Sequence, residues 1–273
     1  MSGLFPHLLL EICFPKLPMP FSWPFGRTAR RKKLLSTPAA PIWEETLEEY
    51  VPLYSLLPSD LRTNLINKAR IVVDERLWVA SGGLELTEQM KIVVAAQAVV
   101  LLAGDEGYLY ERLPAIQLYP EFIRSRPSRK RDGRHGWEQL QGEAWQYGNI
   151  RLSWPAVLEG AEDPEDGENV VFHEMAHHLD GLDGQMGGQP PLTTESLQRR
   201  WPGVQAEYRA LVKDLIHGRD TWLDPYGAEN PEEFFAVVTE SFFEEPHGLQ
   251  EHHPELFDTF VELYRIDPRP WFE

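Results

Sequence analysis

Val170-Val171-Phe172-His173-Glu174-Met175-Ala176-His177-His178-Leu179-Asp180 is the stretch from which the rest of the chain is best read. His173 and His177 stand four residues apart. On an α-helix that spacing is about 400°, so both imidazoles leave nearly the same face and can place a nitrogen on one metal ion. Glu174 lies about 100° further round, within reach of a water at that ion without ligating it, and is a candidate general base. Zinc suits such a pair, because it lowers the pKa of a water to about 7. The flanks favour a helix. Met175, Ala176 and Leu179 are good helix formers, Val170 to Phe172 make an apolar approach, and Gly181 ends the run. The plain alternative is an ordinary helix with solvated histidines, and a surface or supporting role is the expectation for His178.

A catalytic zinc needs a third protein ligand. Asp183 occupies the last place of an H-E-x-x-H-x-x-G-x-x-D register, but position 180 is aspartate and the glycine falls at 181. The other source is Tyr226-Gly227-Ala228-Glu229-Asn230-Pro231-Glu232-Glu233, followed by the apolar run Phe234 to Phe243. Asn230 and Pro231 are helix-start residues that bring Glu233 to the first turn. Asn230 and Glu233 also have the spacing of a capping box, which gives Glu233 a purely structural alternative. Glu240, two turns along the same face, and Glu232 are further carboxylates, and spacing does not rank them.

Outward from this core the chain reads as mainly helical. Trp43, Leu47, Tyr50 and Val51 share a helical face, and Ser59 to Val73 forms a second helix behind a Ser59 cap. Further helices are expected over Thr87 to Ala103 with a Gly104 stop, Glu168 to Leu179, Leu197 to His217, Pro231 to Phe243 and Pro254 to Tyr264. Ala115 to Leu118 and Asn149 to Trp154 have strand character, the latter with Ile150 and Leu152 on one side. Arg124 to His135, rich in arginine, proline and glycine, reads as an exposed loop. Helices in both halves with a few strands between them predict an α+β fold, mainly helical with a small mixed sheet.

The 273 residues suit one large domain, placed at 42–273 behind a proline-rich basic segment, 1–41. One expectation is that residues 1–18 are an upstream extension, because a compact, basic start opens at Met19. A formal charge of −17 disfavours direct binding to nucleic acid phosphates. The imbalance is uneven, since residues 1–34 hold six basic side chains against Glu11 alone. Cys13 is the single cysteine, which excludes an internal disulfide and a cysteine-based zinc ribbon, and fits the cytoplasm. The longest apolar stretch, Ile92 to Ala103, is too short to span a membrane and reads as a buried helix, so a soluble protein is expected. Glu11 and the basic cluster behind the apolar N-terminus oppose a secretory signal.

His173-Glu174-Met175-Ala176-His177-His178-Leu179-Asp180 fits H-E-x-A-H-x-L-D. Tyr226 to Phe243 fits Y-x-A-x-x-P-x-E-x-F-A-V-x-x-E-x-F-F. With Gly142-Glu143-Ala144-Trp145 and Arg151-Leu152-Ser153-Trp154, these motifs resemble the Mlc titration factor A family of zinc metallopeptidases over about Pro20 to Tyr264. The resemblance implies a single zincin-like α+β domain similar to the catalytic domain of anthrax lethal factor. It implies a gluzincin-type ligand set in which Glu233 joins His173 and His177 on zinc. It also implies aminopeptidase-like cleavage of a peptide or small aminoacyl substrate, and a partner in one member, the glucose-responsive transcriptional repressor Mlc. The chain departs from the pattern in residues 1–18 and in the Arg124 to His135 loop.

With the resemblance in hand, Tyr226 becomes a candidate donor to the oxyanion of the reaction. Its plain alternative is a core tyrosine at the end of a loop. Asn149 to Trp154 is a candidate edge strand for an extended substrate, or simply a core strand. Asp180 is a candidate either for orienting a histidine ligand or for closing the helix. Beside the peptidase stand two other functions: a regulatory protein that sequesters a DNA-binding repressor, and a zinc hydrolase of a non-peptide amide.

Overall fold

The computed structural model describes residues 24–105, 107–120, 128–129, 135–136 and 149–273. The expectations for residues 1–18, for Cys13, for the Gly142 to Trp145 motif and for most of the Arg124 to His135 loop lie outside these residues. The chain divides into two compact units after Thr37. In the first, the proline-rich composition conceals a helix, α1 (Pro24–Leu35). Pro24 sits in the first turn, where its missing N–H is not needed, and Lys32 and Lys33 sit in the last turn, where cations meet the helix dipole favourably.

The second unit begins with α2 (Pro41–Tyr50), α3 (Pro52–Leu56), α4 (Ser59–Glu75), β1 (Leu77–Ala80), α5 (Glu88–Val100) and β2 (Ala115–Tyr119). Next come the short β3 (Ser128–Arg129) and β4 (His135–Gly136), then β5 (Ile150–Ser153), α6 (Trp154–Glu162) and α7 (Val170–Asp180). The last third holds α8 (Glu195–Ile216), α9 (Pro231–Glu244), α10 (Pro246–His252) and α11 (Pro254–Tyr264). The fold is α+β and mainly helical. Its three-stranded sheet, in the order β1-β2-β5, is parallel throughout, with Ile116 opposite Trp78 on one side and Ile150 on the other. Parallel neighbours need a crossover, which α5 supplies between β1 and β2. Antiparallel pairing is confined, among the described residues, to β3 and β4.

Burial explains the arrangement. Ile92 to Val100 of α5 are buried without a break, and the helix packs against α2, α4, α6 and α7. A helix that is apolar all round belongs in a core. Gln97 is the one polar side chain in that run, and its partner lies at the functional site. Lys68 of α4 donates to the carbonyls of Leu102 and Asp105, both at 2.6 Å, serving acceptors beyond the end of α5. On α9, Phe235, Phe242 and Phe243 join Phe257, Phe260 and Tyr264 of α11 and Trp271 in an aromatic cluster with centroids 4.9–6.1 Å apart. Such pairs contribute roughly 0.5–1.5 kcal/mol each beyond area burial. They anchor one face of α9 and leave the other against α7.

Several local expectations are corrected. Ser59 does not cap α4: it is the first helical residue, with Pro58 at the N-cap and no side-chain cap bond. Thr87 is itself a cap, its Oγ1 accepting from Met90 N at 3.2 Å, and α5 stops at Val100, before Gly104. α7 starts two residues later than Glu168 because Asn169 caps it. Past Asp180 the chain runs through a 3-10 turn, Gly181–Asp183, and the left-handed position falls at Gly184, with φ 88°. β1, α3, α6 and α10 are short elements that periodicity did not reveal. β5 runs straight into α6, whose cap is Ser153. No helix among the described residues is long and apolar enough to cross a membrane.

Candidate metal centre

α7 is held from its first turn. Asn169 Oδ1 accepts from the N–H groups of Val171 and Phe172, and Asn169 Nδ2 donates to Gln97 Oε1, Gly160 O and Glu244 Oε1 at 2.9–3.0 Å. Four elements therefore meet at one buried amide. A cap immediately before an apolar run was the available signal for this residue, and sequence reasoning passed it over. The face of α7 that carries His173 and His177 looks at the start of α9. There Asn230 Oδ1 accepts from Glu233 N at 2.9 Å, half of a capping box, while the Glu233 side chain turns to the histidines.

His173 Nε2 lies 2.9 Å from Glu233 Oε2 and 3.1 Å from His177 Nε2, and His177 Nε2 lies 3.4 Å from Glu233 Oε1. Around a tetrahedral ion with donors at about 2.0–2.1 Å, neighbouring donors are about 3.3 Å apart. The three side chains thus stand at nearly ligand spacing, and they form the one such group of histidine, cysteine, aspartate or glutamate among the described residues. The donor set, two nitrogens and a carboxylate, suits zinc. Glu174, next to His173, is 3% exposed, and its Oε1 has no hydrogen-bond partner among the described residues.

Electrostatics follows the same geometry. Burial works against a charged His173, but the Glu240 and Glu233 carboxylates outweigh it and hold the imidazole well above its ordinary pKa. Burial pushes His177 down, and the neighbouring His173 assists, against the pull of Glu233. Glu233 is also penalised by burial, and hydrogen bonds from both histidines more than compensate, holding its carboxyl below the usual range. Burial pushes the Glu174 carboxyl up to about 8, with His173 opposing and Glu233 and Glu240 assisting.

Tyr226 reaches the same place from a 3-10 turn, Pro225–Ala228, which packs on α8 and α9. Asp224 Oδ1 accepts from Tyr226 N at 2.7 Å, and the tyrosine ring lies 5.9 Å from the His173 ring, centroid to centroid. Burial and the Glu233 carboxylate both raise its phenol pKa, so the hydroxyl keeps its proton.

The other candidates are not among the three grouped donors. Asp183 is exposed, and its Oδ1 accepts from Gln185 N at 2.8 Å. Glu232 is half-buried and is not among the three grouped donors. Glu240 meets His173 on the opposite ring nitrogen, Nδ1, at 3.0 Å. Asp180 bears on His177 through its charge, and its side chain takes hydrogen bonds from backbone donors. It accepts from Gly187 N, Gly188 N and Gln189 N at 2.6–3.0 Å, fixing the loop after α7. Gly188 in that loop has φ 67°, and a Cβ there would lie 2.0 Å from Pro231 O, so only glycine lets the loop close on the start of α9. His178 is buried rather than solvated: Tyr108 Oη lies 2.7 Å from its Nε2, and the two rings stack at 6.3 Å. Burial, with Arg76 and Arg112 nearby, pushes its imidazole down to about 4.

The chain is similar to known proteins over most of its length. A family model described as glucose-regulated metallo-peptidase M90 matches residues 26–265. The chain is 35% identical over 253 residues to an uncharacterized protein of Synechocystis sp., spanning 91% of this chain and 92% of that protein. It is 27% identical over 237 residues to proteins named Mlc titration factor A from Yersinia pestis and Yersinia pseudotuberculosis, spanning 83% of this chain and 84% of theirs. Since the matched span reaches from α1 to the end of α11, the chain belongs to the glucose-regulated metallo-peptidase M90 family.

Proposed function

We propose that the protein is a zinc-dependent, aminopeptidase-like peptidase of the cytoplasm, with its catalytic domain in residues 42–273. His173, His177 and Glu233 hold one zinc ion, Glu174 is the general base, and Tyr226 is the oxyanion donor. The observation that carries this reading is the meeting of three ligand atoms from two helices beside a buried carboxylate with an open oxygen. Bound zinc supplies Lewis acidity, lowering the pKa of water to about 7 and polarising the scissile carbonyl. Glu174 takes the proton of the attacking water through Oε1 and passes it to the departing amine. Tyr226 donates its retained proton in a hydrogen bond to the carbonyl oxygen as negative charge builds there. β5, paired with β2, is the candidate strand for an extended substrate to join by main-chain hydrogen bonds.

The direct test is metal removal. Cleavage of a panel of short fluorogenic peptides is expected to vanish on treatment with a chelator and return with one equivalent of zinc. Undiminished cleavage by demonstrably metal-free protein refutes the assignment. For Tyr226→Phe, kcat is expected to fall about 10²–10³-fold with zinc content unchanged, the usual effect of removing one oxyanion donor. Wild-type kcat in Tyr226→Phe leaves Tyr226 as a packing residue.

A second reading is a regulatory protein that captures a DNA-binding repressor. The name Mlc titration factor A, borne by the Yersinia relatives, favours it. The two readings differ in whether the activity needs Glu174: cleavage does, and capture of a repressor does not.

A further inference from the structure

We propose that Glu240 is the positioning residue that sets the tautomer of His173, and that the backbone N–H of Asn169 gives Glu240 its direction. This deepens the reading of His173 as a zinc ligand and rests on it. Glu240 lies seven residues beyond Glu233, about 700° along α9, so both carboxylates leave one face. They grip the imidazole at its two ends: Glu233 Oε2 is 2.9 Å from Nε2, and Glu240 Oε2 is 3.0 Å from Nδ1. A neutral imidazole has one N–H and one lone pair. The nitrogen that faces His177 and Glu233 is Nε2, so a metal there needs the lone pair on Nε2 and the proton on Nδ1. The group opposite Nδ1 must then accept, as an ionised carboxylate does.

What makes this specific is the second oxygen of Glu240. Its Oε1 accepts from Asn169 N at 2.9 Å. That N–H cannot swing away, because the Asn169 side chain is tied to α5 through Gln97, to α6 through Gly160 O, to α9 through Glu244 and to its own helix by the cap. A glutamine at position 240 has the same shape but one donor and one acceptor. Its carbonyl must face Asn169 N, since its NH2 there would set two donors against each other. The NH2 is then forced onto His173 Nδ1, which must become the acceptor, moving the ring proton to Nε2 where the metal belongs. The fold at Asn169 thereby converts an isosteric change into a change of ligand.

The experiment compares wild type, Glu240→Gln and His177→Ala by competition with a chromophoric zinc chelator. Selective ¹⁵N labelling of histidine reads the ring tautomers of the zinc-loaded wild type. Glu240→Gln is expected to bind zinc roughly 10–100-fold more weakly, the usual effect of losing a supporting carboxylate, with the metal-free melting temperature close to wild type. In zinc-loaded wild type, His173 is expected to carry its proton on Nδ1. Wild-type zinc affinity in Glu240→Gln, with His177→Ala impaired, overturns the proposal and leaves the metal site standing. Zinc binding that is absent from wild type, or unchanged in His177→Ala, overturns the metal-site reading and the proposal together. A proton on Nε2 of zinc-loaded His173 refutes the proposal even if Glu240→Gln does not fold.

Discussion

Glu174→Gln is expected to keep its zinc and its fold and to lose peptide cleavage by at least about 10²–10⁴, the usual contribution of a positioned acid or base. The substitution preserves the shape of a side chain that is 3% exposed and removes only the capacity to accept a proton and give it back. Because Glu174 is not among the three ligand-spaced residues, metal content is expected to remain at one equivalent. Fold stability is expected to hold or rise, since burial already disfavours the charged carboxylate and an amide carries no charge into that site. The measurement is kcat/KM on a fluorogenic peptide, with zinc counted in the same samples. Cleavage within tenfold of wild type removes Glu174 from the chemistry. The same variant separates the two functional readings, because capture of a repressor in a pull-down is expected to survive when cleavage does not.

The second large effect concerns the third ligand. Glu233→Ala is expected to leave the purified protein with little or no zinc, a loss well beyond the roughly 10–100-fold typical of a supporting partner. Asp183→Ala is expected to retain a full equivalent. Glu233 is fully buried, and its carboxylate contacts both histidines, whereas Asp183 is exposed and occupied with the backbone of its own turn. Zinc retained by Glu233→Ala and lost from Asp183→Ala is the result that overturns the ligand set. Folding is a separate readout. Glu233→Ala removes a carboxylate that supports charge on His173, so the metal-free variant is expected to melt a few degrees lower while remaining two-state.

Much of the architecture was legible because it depends on short-range patterns. The apolar run of α5 announces a buried helix, and the phenylalanines of α9 recur at helical spacing. The alternation of Ile150 and Leu152 marks β5. Four short elements, β1, α3, α6 and α10, were not legible. β1 and α6 contain too few side chains to establish a period, and α3 and α10 begin at prolines that read equally as loop. α1 was missed for a related reason: its proline falls in the first turn, where proline starts a helix instead of breaking it.

At the site, the division is sharper. That His173 and His177 share a face follows from their spacing alone, since any α-helix brings residues four apart to one side. Glu174 beside them, and a helix start at Asn230 and Pro231 carrying Glu233, follow from local pattern in the same way. The choice between Glu233 and Asp183 could not come from spacing, because both lie at plausible distances along the chain; only the packing of α9 on α7 brings one carboxylate to the imidazoles and leaves the other in solvent. Packing also decides what Glu240, Asp180, His178 and Asn169 touch. Each depends on which atom of a distant segment lies within about 3 Å, and a hydrogen bond is lost over less than the width of one side chain. Local chemistry proposes the ligands, and the burial of one helix against another selects among them.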